Sequence, residues 1–321
     1  MITLNNKSED KTSKLSALES STAGAVSGFL TRAILQPLDV LKIRFQLQIE
    51  STRKNCGGLY HGIFQSIRTI YQREGLSALW KGHISAQALT VTYVMGQFGT
   101  YTVFMHLSEY LKLQESGIAI TISGGMAGLV GTLFSFPFDV ARTRLIAQSI
   151  PKYSGLIDVL RKMYFNEGFL SLWKGLSPSI LMAVPSTAIQ FRMYTYLSMS
   201  PAFDSIKDKN IWGYQITKSA VCGITAGVCA KVAVYPLDVL KKRMQIRGSE
   251  EMRRHFGTVV VYENIFDCVW KVTYYEGPIS WFKGLKPSLI KSGAFSGLIF
   301  IFYEMFRETI LTYKEKSLTK S

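Results

Sequence analysis

Three acid–base pairs recur in this chain at one spacing: Asp39 with Lys42, Asp139 with Arg142, and Asp238 with Lys241. Each acid stands two residues after a proline (Pro37, Pro137, Pro236), and each base is followed two residues later by Arg44, Arg144 or Arg243. Residues three apart share a helix face. Three copies of such a face can pair with one another, acid to base, and a ring of six so paired can close one end of a pore. Four more cations fall inside apolar stretches, at Arg32, Arg192, Lys231 and Lys291, with no carboxylate in the same stretches. A charge at membrane depth costs about 2.5–3.5 kcal/mol, so these side chains are expected to face a wet cavity, with a transported anion as counter-ion.

Position sharpens that expectation. Arg32 and Lys231 lie five residues before their proline and seven before its acid, about 10 Å above the ring on the same helix face. Thr132 holds the third equivalent place. With Lys291 they give three cations on three helices, enough to clamp two phosphates; the alternative is snorkelling to lipid phosphate. Arg192 lies two residues before Tyr194, off the expected cavity stripe of Met182, Ser186 and Gln190, which leaves a headgroup or helix-interface role equally open. Gln97 and Gln190 each precede a tyrosine, Tyr101 or Tyr194, by four residues. Both can hydrogen-bond a heterocycle or a neighbouring helix. Tyr93, one turn from Gln97, offers a π-face or simple packing.

These residues have to be positioned by repeated elements. The proline motifs are 100 and 99 residues apart, and each is followed by a second block: Glu74-Gly75 to Trp80-Lys81-Gly82, Glu167-Gly168 to Trp173-Lys174-Gly175, and Glu276-Gly277 to Phe282-Lys283-Gly284. Glycine pairs precede each proline, at Gly24/Gly28, Gly124/Gly128 and Gly223/Gly227. The repeats run 17–115, 116–208 and 209–321, each with one apolar segment before its proline motif and one after its Lys-Gly block. The fold class expected is an all-α membrane protein, six transmembrane helices in three tandem repeats. The prolines are expected to bend the odd helices, and the glycine pairs to let backbones approach closely.

Composition agrees with a membrane chain of this kind. Over 321 residues, 18% are charged and 47% hydrophobic, and 37 Lys+Arg against 22 Asp+Glu give +15, which suits acidic lipid, nucleic acid or anionic solutes. A nucleic-acid reading needs a continuous soluble basic face, whereas these bases cluster at the ends of apolar segments. No phosphate-binding loop, nucleophile elbow or metalloprotease motif occurs, and His61, His83, His106 and His255 lack metal-ligand spacing, so no enzyme and no metal site is expected. The four cysteines form no CxxC pair and read as reduced and structural. The first seventeen residues are polar and mixed in sign, so no secretory signal is expected there.

The proline and Lys-Gly blocks together resemble the signature of the mitochondrial carrier family over about residues 20–313. The resemblance implies pseudo-threefold symmetry, short amphipathic matrix helices, alternating access in the inner membrane, and both termini toward the intermembrane space. It implies matrix-gate pairs Asp39–Arg142, Asp139–Lys241 and Asp238–Lys42, with glutamine braces at Gln46 and Gln245 and none at Ile146. The opposite, cytoplasmic gate is matched in full only by Tyr303, Glu304 and Arg307. Tyr101 and Tyr194 keep the aromatic but are followed by Thr102 and Thr195, with Met105 and Ser198 where bases belong, so a weak gate is expected. Lys291 falls where such carriers place a basic contact on the sixth helix. Tyr60-His61-Gly62, Tyr153-Ser154-Gly155 and the Lys-Gly blocks resemble cardiolipin sites; Tyr262-Glu263-Asn264 departs from them.

Local strings at Ile43–Gln48, Trp80–His83, Ala86-Gln87, Gln97-Phe98 and Arg142–Arg144 resemble the branch of that family that carries thiamine pyrophosphate. Its diphosphate suits Arg32, Lys231 and Lys291, and its rings suit Tyr93, Gln97 and Gln190. Nucleotides and coenzyme A combine the same chemistry and stay open, as does a structural membrane protein or channel. A monomer is expected.

Overall fold

The computed structural model describes residues 16–52, 57–110, 117–149, 152–200, 211–256 and 258–318. The described elements run α1 (Ala17–Leu47), α2 (Ile63–Glu74), α3 (His83–Tyr110), α4 (Gly117–Ala147), α5 (Leu156–Glu167), α6 (Leu176–Ser198), α7 (Ile211–Gln245), α8 (Ile265–Lys271) and α9 (Leu285–Leu318). A long helix, a short one and a second long one therefore occur three times over. Before each second long helix comes a 3-10 turn, at Leu76–Trp80, Phe169–Trp173 and Pro278–Phe282. The repeat boundaries at 115–116 and 208–209 lie outside the described residues.

The long helices have 23 to 35 residues, about 35–50 Å at 1.5 Å per residue, which exceeds a hydrocarbon core of about 30 Å. Three of them contain a stretch apolar enough by composition to cross a membrane, within Ser123–Ala147, Lys218–Gln245 and Pro278–Lys314. Among the described residues, the other three long helices meet the length alone. Large apolar side chains such as Phe98, Phe134, Val184, Phe191 and Phe300 stand outward and exposed, as they do on helices solvated by lipid.

The chain divides into two units. One joins Met1–Asp39 to Ser288–Ser321, and the other is Val40–Pro287. In the first, Ser16 and Glu19 cap α1 reciprocally, with the Ser16 N–H donating to Glu19 Oε2 at 2.8 Å and the Glu19 N–H to Ser16 Oγ at 3.3 Å. Lys314 Nζ also donates to Glu19, at 2.6 Å.

In the second unit, buried packing gathers around the proline motifs. Phe136, Val140, Ala141 and Leu145 of α4 pack with Tyr153, with Val159 and Met163 of α5, and with Met252. Leu240 and Met244 of α7 pack with Tyr262, Cys268 and Val272. The short helix α5 thus turns one apolar face inward, as an amphipathic helix should. The third short helix is broken: seven α residues pass into a π turn at Val272–Glu276.

All three motif prolines lie inside continuous helices. Proline lacks the N–H that would bond the carbonyl four residues back. For Pro137 that carbonyl is Leu133 O, and the Trp173 indole N–H donates to it at 3.0 Å. Phe282 occupies the place of Trp173 in the third repeat and has no ring donor to give.

The glycine pairs do not do what their spacing predicts. Among the described residues, a Cβ built at Gly124, Gly128, Gly223 or Gly227 meets nothing within 4 Å, and the same holds at Gly24 and Gly28. The close approach is elsewhere, where α3 crosses α4: a Cβ on Gly131 would lie 2.9 Å from Tyr93 O, and one on Gly96 would lie 3.0 Å from Gly131 Cα.

Candidate functional site

Within the second unit, two of the three implied gate pairs are formed. Lys42 Nζ lies 2.7 Å from Asp238 Oδ2, and Lys241 Nζ lies 2.8 Å from Asp139 Oδ2. Each pair is braced as its glutamine implies: Gln46 Nε2 donates to Asp238 at 2.9 Å and Gln245 Nε2 to Asp139 at 2.7 Å. Ile146 has no polar group to offer, and its buried side chain packs at that level instead. The pair Asp39–Arg142 takes one residue from each unit and falls outside what either shows by itself.

Asp39 has a partner inside the first unit. Lys291 Nζ donates to both its carboxylate oxygens, at 2.6 and 2.8 Å. Lys291 has no carboxylate in its own apolar stretch, as expected, but its counter-ion is Asp39 of α1, 252 residues away in sequence, in place of the expected transported anion.

Lys242, which the motif reading passes over, joins the Asp139–Lys241 pair. Its Nζ donates to Asp139 Oδ1 at 2.8 Å, to Gln245 Oε1 at 2.9 Å and to Thr143 Oγ1 at 3.1 Å. Ile43 and Thr143 hold the equivalent places, so only the third repeat supplies this extra cation. Aromatic rings immediately before two motif prolines add to both pairs. Lys241 Nζ sits 5.2 Å from the Phe136 ring centre and Lys42 Nζ 6.0 Å from that of Tyr235, within reach of cation–π attraction.

Beneath the pairs, the second base of each motif ties one repeat to another. Arg44, Arg144 and Arg243 are fully buried. Each forks onto the glutamate of its own repeat: Arg44 on Glu74 at 2.5 and 2.7 Å, and Arg144 and Arg243 on Glu167 and Glu276, with one arm of each at 2.8 Å. Each also donates Nε to a main-chain carbonyl of another repeat: Arg44 to Ile146 O at 3.3 Å, Arg144 to Gln245 O at 3.2 Å and Arg243 to Gln46 O at 3.1 Å. These acceptors lie in the last turn of a helix, where carbonyls lack intrahelical partners. Lys81, Lys174 and Lys283 each add a 2.6 Å bond to the same glutamates.

Burial works against the Glu167 carboxylate, but Arg144 and then Lys174 outweigh it and bring its pKa down to about 2. Glu74 is held below its ordinary value in the same way, burial opposing and Arg44 and Lys81 prevailing. Burial pushes the Cys268 thiol up to about 12, which makes it inert.

The Lys-Gly blocks set the distance between successive repeats. At Gly175 (φ +86°) a Cβ would lie 2.9 Å from Lys241 O, and at Gly284 (φ +83°) 2.8 Å from Lys42 O. Only glycine allows both that backbone and that approach. α6 and α9 therefore begin directly against the carbonyls of Lys241 and Lys42.

The opposite ends are unlike this. Tyr101 and Tyr194 are exposed, Tyr303 is half-buried, and Arg307 bonds Glu304 on its own helix at 2.9 Å rather than a neighbour. Arg32 is half-buried in the first unit; in the second, Lys231, Tyr93 and Gln97 are half-buried while Gln190 and Arg192 are exposed. Tyr93 and Gln97 stand at the α3–α4 crossing, beside Gly131. Two hollows lie beside the Lys-Gly blocks. One, of about 620 Å³, is bordered by Lys174, Gly175, Arg247 and Asn264. The other, of about 470 Å³, is bordered by Lys81, Gly82, Tyr153 and Gly155.

The geometry of the second unit thus gives two paired, braced contacts near the ends of α1, α4 and α7. The chain matches the family model described as mitochondrial carrier protein over residues 13–110, 114–200 and 213–314. It is similar to the mitochondrial thiamine pyrophosphate carrier of Bos taurus, at 40% identity over 95% of this chain and 96% of that one. The human protein of the same name is 40% identical over 88% of this chain and 89% of its own. Mitochondrial thiamine pyrophosphate carrier 1 of Kluyveromyces lactis is 33% identical over 88% of each.

Proposed function

Because the chain belongs to the mitochondrial carrier family, we propose that it carries thiamine pyrophosphate across the inner mitochondrial membrane by alternating access. The observation that carries this reading is the likeness, over nearly the full length of both chains, to proteins named for that substrate. The closed end of the second unit is then the matrix gate, and the termini face the intermembrane space. Thiamine pyrophosphate enters from the cytoplasmic side and is delivered to the matrix, in exchange for nucleotides.

Arg32, Lys231 and Lys291 are the proposed partners of the diphosphate, and Tyr93, Gln97 and Gln190 of the two rings. Lys291 is shared. It holds Asp39 at 2.6 Å, so an anion that draws it away weakens the hold on a gate carboxylate and lowers the cost of opening. Only an interaction that differs between the two gate states can shift them in this way. Glu304, Arg307 and the three tyrosines form a cytoplasmic gate with a single charged pair, which opens readily. The hollows beside the Lys-Gly blocks suit a phosphate headgroup: Lys174 and Arg247 border one and Lys81 the other, next to helix starts that favour anions. Cardiolipin is the proposed occupant, and the working unit is a monomer.

The test is uptake by liposomes holding the purified carrier, comparing thiamine pyrophosphate with thiamine, thiamine monophosphate, ADP, deoxynucleotides and coenzyme A, each repeated with Lys231→Ala. Preferential thiamine pyrophosphate uptake that the substitution abolishes is the expected result. Preference for a nucleotide or coenzyme A refutes the substrate and keeps the cation clamp. No uptake of any anion by folded protein refutes transport.

A further inference from the structure

The carbonyl ties of Arg44, Arg144 and Arg243 form a threefold set, and one further tie stands outside it. From the motif arginine to the tyrosine it reaches is sixteen residues in the first repeat and nineteen in the third. In the second, Arg144 to Tyr153 is nine residues. The additional residues of the third repeat include a 3-10 turn, Glu250–Phe256. Within it Arg253 is 2% exposed.

That guanidinium reaches main-chain oxygens. Arg253 Nη1 donates to Leu47 O at 2.9 Å and Nη2 to Val260 O at 2.8 Å, and its centre lies 5.8 Å from the Tyr262 ring centre. Leu47 is the last residue of α1. Its carbonyl is one that a helix leaves without an internal partner, at the negative end of the helix dipole. Two neighbouring contacts pull the same way. The Ser149 N–H and hydroxyl, just past α4, donate to Met252 O at 3.1 and 2.9 Å. The Thr258 N–H and hydroxyl both donate to Glu50 Oε1, at 2.5 and 3.0 Å. One short segment of the third repeat therefore fastens the ends of helices from both other repeats.

Desolvating an arginine is costly, and main-chain oxygens on two different segments repay that cost only while those segments stay together. Leu47 lies five residues beyond Lys42, about 7.5 Å along α1, so the Lys42–Asp238 pair and the Arg253–Leu47 bond hold the same helix to the same repeat. We propose that Arg253 is a positioning residue of the transport cycle, a clasp that holds the end of α1 against the third repeat while the matrix gate is closed and lets go as it opens. The proposal rests on the carrier reading for its consequence, and on contacts inside the second unit for its geometry.

The experiment compares wild type, Arg253→Met and Arg253→Lys as full-length carrier in liposomes of known orientation. One readout needs no substrate. In a background with Cys56, Cys222, Cys229 and Cys268 replaced by serine, the substitution Ile43→Cys puts a thiol at a 2% exposed gate position. Its alkylation by a membrane-impermeant maleimide on the matrix face should rise about tenfold in Arg253→Met, the size of an ordinary coupling between sites. Arg253→Lys, which keeps one donor for Leu47 O, should fall between. The second readout is half-saturation for thiamine pyrophosphate on each face. A clasp predicts opposite shifts, weaker on the cytoplasmic face and tighter on the matrix face, the two factors multiplying to about tenfold.

Glu50→Ala, at an exposed contact, should shift both readouts the same way by less, and decides the matter if Arg253→Met does not fold. Unchanged alkylation alongside normal transport overturns the clasp, as does half-saturation that weakens equally on both faces with a matching loss of thermal stability. Faster alkylation without thiamine pyrophosphate uptake by any variant supports the clasp and overturns the substrate instead.

Discussion

Glu167→Gln keeps the shape of its side chain and removes the charge on which one repeat tie depends. The carboxylate bonds Arg144, whose side chain is fully buried, and holds Lys174 at 2.6 Å, while itself only 16% exposed. Its pKa of about 2 against an ordinary 4.5, at 1.36 kcal/mol per unit, corresponds to about 3 kcal/mol of stability at neutral pH. Glutamine resembles the protonated acid, so the substitution should remove that amount. The figure agrees with the roughly 3–5 kcal/mol lost when one member of a buried pair is taken away. The sign follows from the depressed pKa. The contribution is complete above the unfolded value near 4.5 and disappears as pH falls through 2. Denaturant unfolding of wild type and Glu167→Gln in lipid nanodiscs should show a gap of about 3 kcal/mol at neutral pH, narrowing to about half near pH 3. A gap under about 1 kcal/mol, or one that stays constant on acidification, would refute the assignment of that energy to the Glu167 carboxylate.

Two further outcomes follow from the gate. Gly175→Ala forces a side chain into φ +86° with its Cβ 2.9 Å from Lys241 O, about 1–2 kcal/mol of backbone strain before any clash; thiamine pyrophosphate uptake should fall about tenfold while the protein still folds, and Gly82→Ala, whose nearest atoms are at 3.2 Å, should cost less. Lys242→Met leaves Asp139 with Lys241 and Gln245 alone, so the closed gate weakens, and exchange should turn over about fivefold faster with thermal stability of the purified carrier reduced.

The parts of this molecule that repeat were readable in its sequence, because three imperfect copies identify what each copy needs. The long–short–long helix order, the pairs Lys42–Asp238 and Lys241–Asp139 and the braces at Gln46 and Gln245 all follow from spacing or family pattern, and all are formed. What occurs once was not readable. Lys242 occupies a motif position that Ile43 and Thr143 fill elsewhere, so the repeat itself marks it as unimportant. Lys291 finds Asp39 only because the first unit joins the two ends of the chain. The glycine pairs misled for a different reason. Spacing shows that two glycines share a face but not that a helix lies against it, and the close crossing fell to Gly96 and Gly131.

These singular features bear on how a pseudo-threefold gate can serve a substrate that has no symmetry. Were the arms equal, an anion pulling on any one cation would load all three alike and select no order of opening. The arms are not equal. Asp139 is held by two lysines, a glutamine and the Phe136 face below Lys241, all within α4 and α7. Asp238 has one lysine and one glutamine, with Arg253 adding its grip on α1 from outside the ring. Asp39 is held from α9 by Lys291, a proposed contact of the substrate. The carboxylate whose cation is also a proposed contact of the diphosphate is therefore Asp39, on α1. With the proposed roles of Lys291 and Arg253, α1 is released first, Arg253 sets how much that release costs, and the doubly held α4–α7 pair is the last to part.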